Sequence, residues 1–360
     1  MRLTRRSFLA TCASLPAVTA VAADAGLGAL AARSGRYFGA AVSTALLTDG
    51  SAFVAPLERD CSVWVPEWQL KWGALTPAIT AAADFTAMDG LVAAARTAGK
   101  RMRGHTLLWH EHLPDGIEAL DGRGGWDSVV VPHIETVAGH YRDAFFEWDV
   151  VNEAIEPRDG GADLMRRTPF YRMLGPDYVA EAFRLAAEAA PSARLYLNED
   201  HLYYDDEAQE ARRVGLLALL ERLVRAGVPV HGVGLQCHLD IRRRFDGRLF
   251  NRFLDEVTGL GLSVAVTELD VREHDDAAGR SLARRRQRAA DEVTKVLDGL
   301  FDRSALAGVT TWGISDADSW LRKGGQGGDN QGLPYGDTFQ PTPMRAALAA
   351  LFTATRTRHD

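Results

Sequence analysis

The chain has 360 residues, 46% hydrophobic and 25% charged, with 41 lysines and arginines against 48 acids. That length is enough for a single large core, and a formal net charge of −7 speaks against binding to nucleic acid or an anionic membrane. Three cysteines exclude a disulfide scaffold, and past the N-terminal segment no apolar run approaches the ~20 residues of a membrane span.

The first segment reads as targeting sequence, not structure. Thr4-Arg5-Arg6-Ser7-Phe8-Leu9 resembles a twin-arginine export signal. An apolar run follows to about Val21, and Ala20-Val21-Ala22 offers a small-residue cleavage site. Cys12 does not mark a lipoprotein, because Thr11 is a poor residue before such a cysteine and too little apolar chain precedes it. Cleavage after Ala22 leaves residues 23–360 and removes three arginines but no acids, so 38 basic groups face 48 acidic ones and the charge becomes −10. The expectation is an exported protein, periplasmic or secreted, monomeric and free of the membrane after cleavage.

No proline-rich, serine-rich or low-complexity tract divides the rest, which predicts one domain. Strand-like runs start near Tyr37, Ser62, Arg101, Phe146, Arg194, Gly232, Leu262 and Gly308. Helical patterns lie between them. Thr86 to Ala98 puts Met88, Leu91, Val92 and Ala95 on one face. Val129 to Phe145, Asp177 to Ala190 and Asp206 to Ala226 follow, the last with Leu216, Leu219, Leu220 and Leu223 at helical spacing. Asp246 to Leu260, Ser281 to Leu300 and Pro343 to Thr355 complete the set. Strand and helix alternating about eight times predicts an α/β fold, the (β/α)8 TIM barrel. The alternative, a doubly wound open sheet, lacks a glycine-rich phosphate loop after its first strand. Cys61 and Cys237 each fall within a predicted strand and read as buried free thiols. The arginine runs 242–244, 284–286 and 166–167 are interleaved with acids and read as solvated faces or loop charges.

Two strands share a design. Phe146-Glu147-Trp148-Asp149-Val150-Val151 ends in Asn152-Glu153, and Leu262-Ser263-Val264-Ala265-Val266-Thr267 ends in Glu268-Leu269-Asp270. In a parallel barrel that end of a strand is where catalysis sits. One such glutamate would ordinarily cap a helix or sit in solvent, but a pair at two strand ends is what glycoside hydrolysis requires. One carboxyl must hold a proton for the leaving oxygen, and the other must stay ionised. Other strands also end in polar and aromatic groups: Glu67, Trp68 and Lys71; His105, Trp109 and His110; Gln236 and His238; Trp312, then Trp320. Tryptophan faces beside carboxylates and amides suit a sugar, which stacks its C–H face and hydrogen-bonds through its hydroxyls. His110 and His112 suggest a metal pair, but no third ligand has a convincing position, so neither metal nor cofactor is expected.

From about Phe38 to Leu351 the sequence resembles glycoside hydrolase family 10, whose typical members are endo-β-1,4-xylanases. The resemblance rests on Gly104 to His110, Asp149 to Ala154, Thr267 to Asp270 and Trp312 to Trp320. It extends to Pro169-Phe170-Tyr171 with Leu174-Gly175, and to Leu195 through Glu199. It implies a retaining enzyme acting on xylan or xylo-oligosaccharides, with Glu153 as general acid/base and Glu268 as nucleophile. Asn152 would bond the sugar 2-hydroxyl, while His238 and Asp270, with Gln236 nearby, would hold Glu268 ionised. Glu67, Lys71, His105 and Trp109 would line the glycone side, Trp312 and Trp320 would form the aromatic wall, and Tyr171 would join the substrate-binding set. Trp68 departs from the family, which usually carries asparagine there, and so puts the glycone subsites and the preferred chain length in question. The segment Gly332 to Asp337 is also altered. Rival readings are a related barrel glycosidase acting on β-glucan or short oligosaccharides, a catalytically dead glycan-binding protein, and a barrel enzyme of unrelated chemistry. The last would need a phosphate or metal site that the sequence does not offer.

The export reading is tested by replacing Arg5 and Arg6 with lysine. The precursor should then stay in the cytoplasm on fractionation, and undiminished export would make the segment an ordinary signal peptide.

Overall fold

The computed structural model describes residues 25–48, 50–274, 279–323 and 328–354. The expected export signal and Cys12 lie outside the described residues. The described residues contain nine parallel strands: β1 Tyr37–Val42, β2 Val63–Pro66, β3 Arg101–Leu108, β4 Phe145–Asn152, β5 Arg194–Glu199, β6 Gly232–Leu235, β7 His238–Asp240, β8 Ser263–Arg272 and β9 Leu306–Thr311. Pairing runs in chain order from β1 to β6, β6 passes directly to β8, and β9 returns to β1. The sheet is therefore closed. β7 follows β6 after a break at Gln236-Cys237 and pairs with the far half of β8, setting His238 opposite Asp270. Together β6 and β7 make one stave, so the barrel has the eight staves expected.

The strands are apolar runs because both faces are covered, by helices outside and by packed side chains within. Every residue of β1, β2 and β6 is buried. Two strand glycines are set by close approach. A Cβ at Gly104 would lie 2.4 Å from the Trp148 indole, and one at Gly234 would lie 2.1 Å from the Asn198 amide oxygen. The second matters more, since Asn198 reaches the cleft only because Gly234 leaves room.

The long helices sit close to their expected places. Helix Glu207–Arg225 is capped by the Asp206 carboxylate, and Gly247–Gly259 by that of Asp246. Leu216, Leu219, Leu220 and Leu223 are all buried. The helix expected over Val129–Phe145 ends earlier: Val131–His140 continues a π-helical turn over Trp126–Val130, and turn residues 141–144 lead into β4 at Phe145. Three further helices fall on stretches without a clear apolar stripe: Leu27–Ala32, Val54–Asp60 and Pro169–Leu174. The cysteines are placed differently from expectation. Cys61 follows helix Val54–Asp60 and precedes β2, and Cys237 occupies the break between β6 and β7 with φ +60°. Both are free and buried, and burial pushes both thiols far up from their ordinary range.

Two helices far apart in sequence meet at one buried carboxylate. Asp60 accepts from the Leu27 amide at 3.1 Å and from Arg345 Nε and Nη2 at 2.7 and 2.8 Å, and it also accepts from the Tyr335 hydroxyl. Arg345 lies on helix Pro343–Thr353, so Asp60 ties the first described helix, Leu27–Ala32, to the last described one. Burial alone would raise the Asp60 carboxyl, but the hydrogen bonds from Arg345 and Tyr335 and the Arg345 charge hold it below its ordinary range. A depressed carboxyl stabilises the fold above the pKa of the unfolded chain, about 4, and loses that contribution as pH falls toward the folded value. Asp60→Asn should cost ~3–5 kcal/mol at neutral pH, because it leaves the Arg345 charge buried and unpaired. The gap in melting temperature between variant and wild type should narrow as pH drops below about 4. Equal melting temperatures at pH 7 would show that the two helices are held by packing alone.

Candidate active site

Eight staves deliver their polar ends to one cleft of about 560 Å³. β4 ends in Asn152 and is followed at once by Glu153, which has a left-handed backbone, φ +59°. The Glu153 amide donates to the Asn198 carbonyl at 2.8 Å, which anchors the turn to β5. β8 carries Glu268 and Asp270, β6 leads to Gln236, and β7 begins at His238.

The two carboxyls are joined by side-chain amides. Glu153 Oε1 accepts from Asn152 Nδ2 at 3.1 Å and from Gln236 Nε2 at 3.0 Å. Asn152 Oδ1 accepts from Asn198 Nδ2 at 2.7 Å, and the same Nδ2 donates to Glu268 Oε1 at 2.7 Å. The Thr267 hydroxyl donates to Asn198 Oδ1 at 2.7 Å and fixes which way that amide faces.

Glu268 is only 5% exposed, and it is surrounded by cations and donors. His238 Nε2 lies 3.4 Å from its Oε2, and His105 Nδ1 lies 3.9 Å from its Oε1. Burial alone would raise the carboxyl. The His105 charge, the hydrogen bond and charge of His238, and the Asn198 hydrogen bond outweigh burial and bring it down to about 2. His238 is held in turn by Asp270, at 3.0 Å from Nδ1, and Asp270 Oδ2 accepts from Trp320 Nε1 at 2.6 Å. Burial disfavours an imidazolium at His238, but Asp270 and Glu268 overcome it and raise the group well above the ordinary histidine range. His105 is oriented from below. Its Nδ1 lies 3.1 Å from Asp149 Oδ2, and Asp149 is paired with the fully buried Arg103.

The rest of the expected set has a mixed placement. Glu67, Trp68, Lys71, Trp109, Trp312 and Trp320 all line the cleft. Lys71 Nζ lies over the Trp109 ring at 4.7 Å and over Trp68 at 5.2 Å. Trp68 is 48% exposed and meets His112 edge-on at 4.4 Å, so it faces the cleft and not the neighbouring core. Tyr171 is placed elsewhere. It sits on helix Pro169–Leu174, donates to Asp163 at 2.7 Å and stacks under Arg167, away from the cleft lining. The Thr168 cap fixes that helix so that its tyrosine points to the outer loop. Among the described residues no group of three or more His, Cys, Asp or Glu could hold a metal ion.

Sequence reasoning missed three residues. Asn198 joins the two carboxyls, and its signal was available, since it is a polar residue at the end of an apolar strand. Glu199, fully buried behind Glu153, is raised to about 8 by burial and accepts from the Ile155 amide at 3.0 Å. Arg166, read as a solvated charge, has a side chain only 17% exposed and donates from Nε to the Glu153 carbonyl at 2.8 Å. Arg285 and Arg286 are likewise half-buried and bonded, to Glu273 and Asp329 and to Gln331.

A closed parallel barrel with two carboxyls at the ends of different strands is the arrangement of a glycoside hydrolase. The family described as "Glycosyl hydrolase family 10" matches residues 26–351, and the chain belongs to it. Endo-1,4-beta-xylanase 3 of Hypocrea jecorina is 33% identical over 315 residues, covering 88% of this chain and 82% of that protein. The crystal structure of native xylanase 10B from Thermotoga maritima superposes with a TM-score of 0.82 at 29% identity, covering 91% of this chain and 98% of that one. Xylanase 10B from Thermotoga petrophila RKU-1, solved with xylobiose, gives 0.82 at 28% identity over 91% and 97% of the two chains.

The charge arrangement around Glu268 can be read directly. In carboxyl-labelled protein followed by ¹³C NMR, Glu268 should titrate near its value of about 2, and His238→Ala should move the midpoint up. An unmoved midpoint would show that His238 is not what keeps this carboxyl ionised.

Proposed function

We propose that the protein is an endo-β-1,4-xylanase that hydrolyses xylan or xylo-oligosaccharides with retention of configuration. The observation that carries this is the inequality of two linked carboxyls. Glu268 is buried among cations and donors, while Glu153 is more open to the cleft, with 18% of its side chain exposed against 6%. An ionised, oriented Glu268 suits attack on the anomeric carbon. The bond from that carbon to the leaving oxygen breaks as Glu153 delivers its proton there, which leaves a glycosyl ester on Glu268. Glu153, now a carboxylate, takes a proton from water as the water attacks the same carbon and displaces Glu268. Asn152 Nδ2 stands beside Glu153 where a 2-hydroxyl would pass. Trp109, Trp312 and Trp320 offer faces for xylose rings. The names of the relatives and the xylobiose in one structural neighbour favour xylan over other β-1,4-glycans. Trp68, an indole where the family usually has an amide, would narrow the glycone side and favour short products.

Product analysis tests the reading. Purified protein should release xylo-oligosaccharides from xylan and little sugar from cellulose, with the β anomer first in early NMR spectra. Glu268→Gln should be inactive on every substrate. Glu153→Ala should fail on xylan yet still form the glycosyl-enzyme from a dinitrophenyl glycoside, whose leaving group needs no proton. Trp68→Asn should lengthen the product ladder. Early α product, or equal losses of the glycosylation step in both glutamate variants, would overturn the mechanism.

A further inference from the structure

We propose that Arg166 is a positioning residue for Glu153, fixing its main chain and facing the one carboxyl oxygen that can carry the catalytic proton. This rests on reading Glu153 as the acid/base. Glu153 has φ +59°, a conformation unfavourable for a residue with a Cβ, so it must be held there from outside. Two main-chain hydrogen bonds do so. The amide donates to the Asn198 carbonyl on β5, and the carbonyl accepts from Arg166 Nε, each at 2.8 Å. Arg166 is itself fixed, because its amide donates to the Ala154 carbonyl at 2.8 Å beside a bridge between Ile155 and Met165.

The two oxygens of Glu153 are not equivalent. Oε1 accepts from both Asn152 and Gln236, so it acts as an acceptor and leaves the proton to Oε2. Oε2 faces Arg166 Nη2 at 3.7 Å and His110 Nδ1 at 3.8 Å, and that His110 nitrogen is buried without a hydrogen-bond partner. Arg166 Nη2 is also 3.7 Å from Glu156 Oε2, but Glu156 is already engaged by Arg158 at 2.8 and 2.9 Å and by Arg212 at 3.1 Å. Other charged groups act on Glu153 or share its surroundings: Lys71 after β2, Glu111 after β3, Glu199 and Asp200 at the end of β5, and Glu268 on β8. Arg166 alone among these cations also holds the Glu153 main chain. Only a guanidinium can donate from Nε to the carbonyl and present Nη2 to the carboxyl at once. A guanidinium spanning the Glu153 carbonyl and Oε2 fixes where that oxygen stands relative to a leaving group, which proton delivery requires.

The test uses Arg166→Gln and Arg166→Lys, with Arg167→Gln as the control, since Arg167 pairs with Asp163 on the outer loop. Arg166→Gln should lower kcat on xylan ~10- to 100-fold, the range expected when an acid/base is misplaced. Formation of the glycosyl-enzyme from a dinitrophenyl xylobioside should stay within about twofold of wild type, because that step needs no proton. Arg166→Lys should recover little of kcat, because lysine has no Nε–H to hold the carbonyl. Equal losses on both substrates, or a lower melting temperature with kcat on xylan unchanged, would make Arg166 a structural residue and overturn the proposal. If Glu153→Ala itself loses both steps equally, it is the acid/base reading that falls, whatever the Arg166 variants show.

Discussion

Keeping one carboxylate ionised in a buried place is the constraint on which this structure depends. An isolated ion taken from water into a protein interior costs several kcal/mol even after relaxation. Glu268 is 5% exposed and still held down to about 2. The barrel meets that cost with alternating charge. Arg103 pairs with Asp149, Asp149 orients His105, His105 faces Glu268, Glu268 faces His238, and His238 is held by Asp270. Each group is unfavourable alone in such surroundings and tolerable beside its neighbours. The series draws on strands β3, β4, β7 and β8, so the charge state of one oxygen pair depends on the registers of half the barrel.

The same constraint accounts for several local departures from regular strand geometry. The stave made of β6 and β7 is interrupted at Cys237, φ +60°, so that Gln236 turns toward Glu153 while His238 re-pairs beside Asp270. An unbroken strand would keep these two side chains on one face and set His238 opposite Leu269, whereas the break advances the register by one residue, to Asp270. Glu153 adopts a left-handed backbone immediately after β4 for a related reason. Its carboxyl must stand beside Asn152 and not on the opposite side of the strand. Gly234 removes a side chain where the Asn198 amide has to pass. These are costs of local geometry, and the hydrogen bonds of the cleft offset them.

The cleft is also unequal along its length. Trp68, Trp109, Trp312 and Trp320 gather with Glu67 and Lys71, whereas the space beyond Glu153 is lined by His110, Arg158, Arg166, Asp200 and His201. An aromatic face holds a sugar by stacking, and a charged wall holds it by hydrogen bonds that compete with water. The Trp68 indole extends the aromatic end outward, where an amide would have offered a hydroxyl-specific contact.

Much of this could be read from residues in a row. Strand ends, the two glutamates, and the His238 and Asp270 supports all show as polar groups closing apolar runs, because in a parallel barrel the end of a strand is also the rim of the cleft. Helix starts at Asp206, Asp246 and Ser281 were legible because a capping side chain acts within its own turn. Arg166, Tyr171 and the break at Cys237 were not legible. Arg166 lies thirteen residues from Glu153 and resembles any surface arginine until the loop folds back and brings Nε to a carbonyl. Tyr171 carries the right chemistry for a sugar but belongs to a helix whose cap aims it at Asp163. The sequence by itself determined the alternation of elements, and with it the barrel and the residue types at its rim, because those follow from short-range periodicity. The tertiary structure alone decided which rim side chains meet and which oxygen of Glu153 is left free. It also decided how far Glu268 is held from its ordinary charge balance, since these depend on distances between strands that no local pattern encodes.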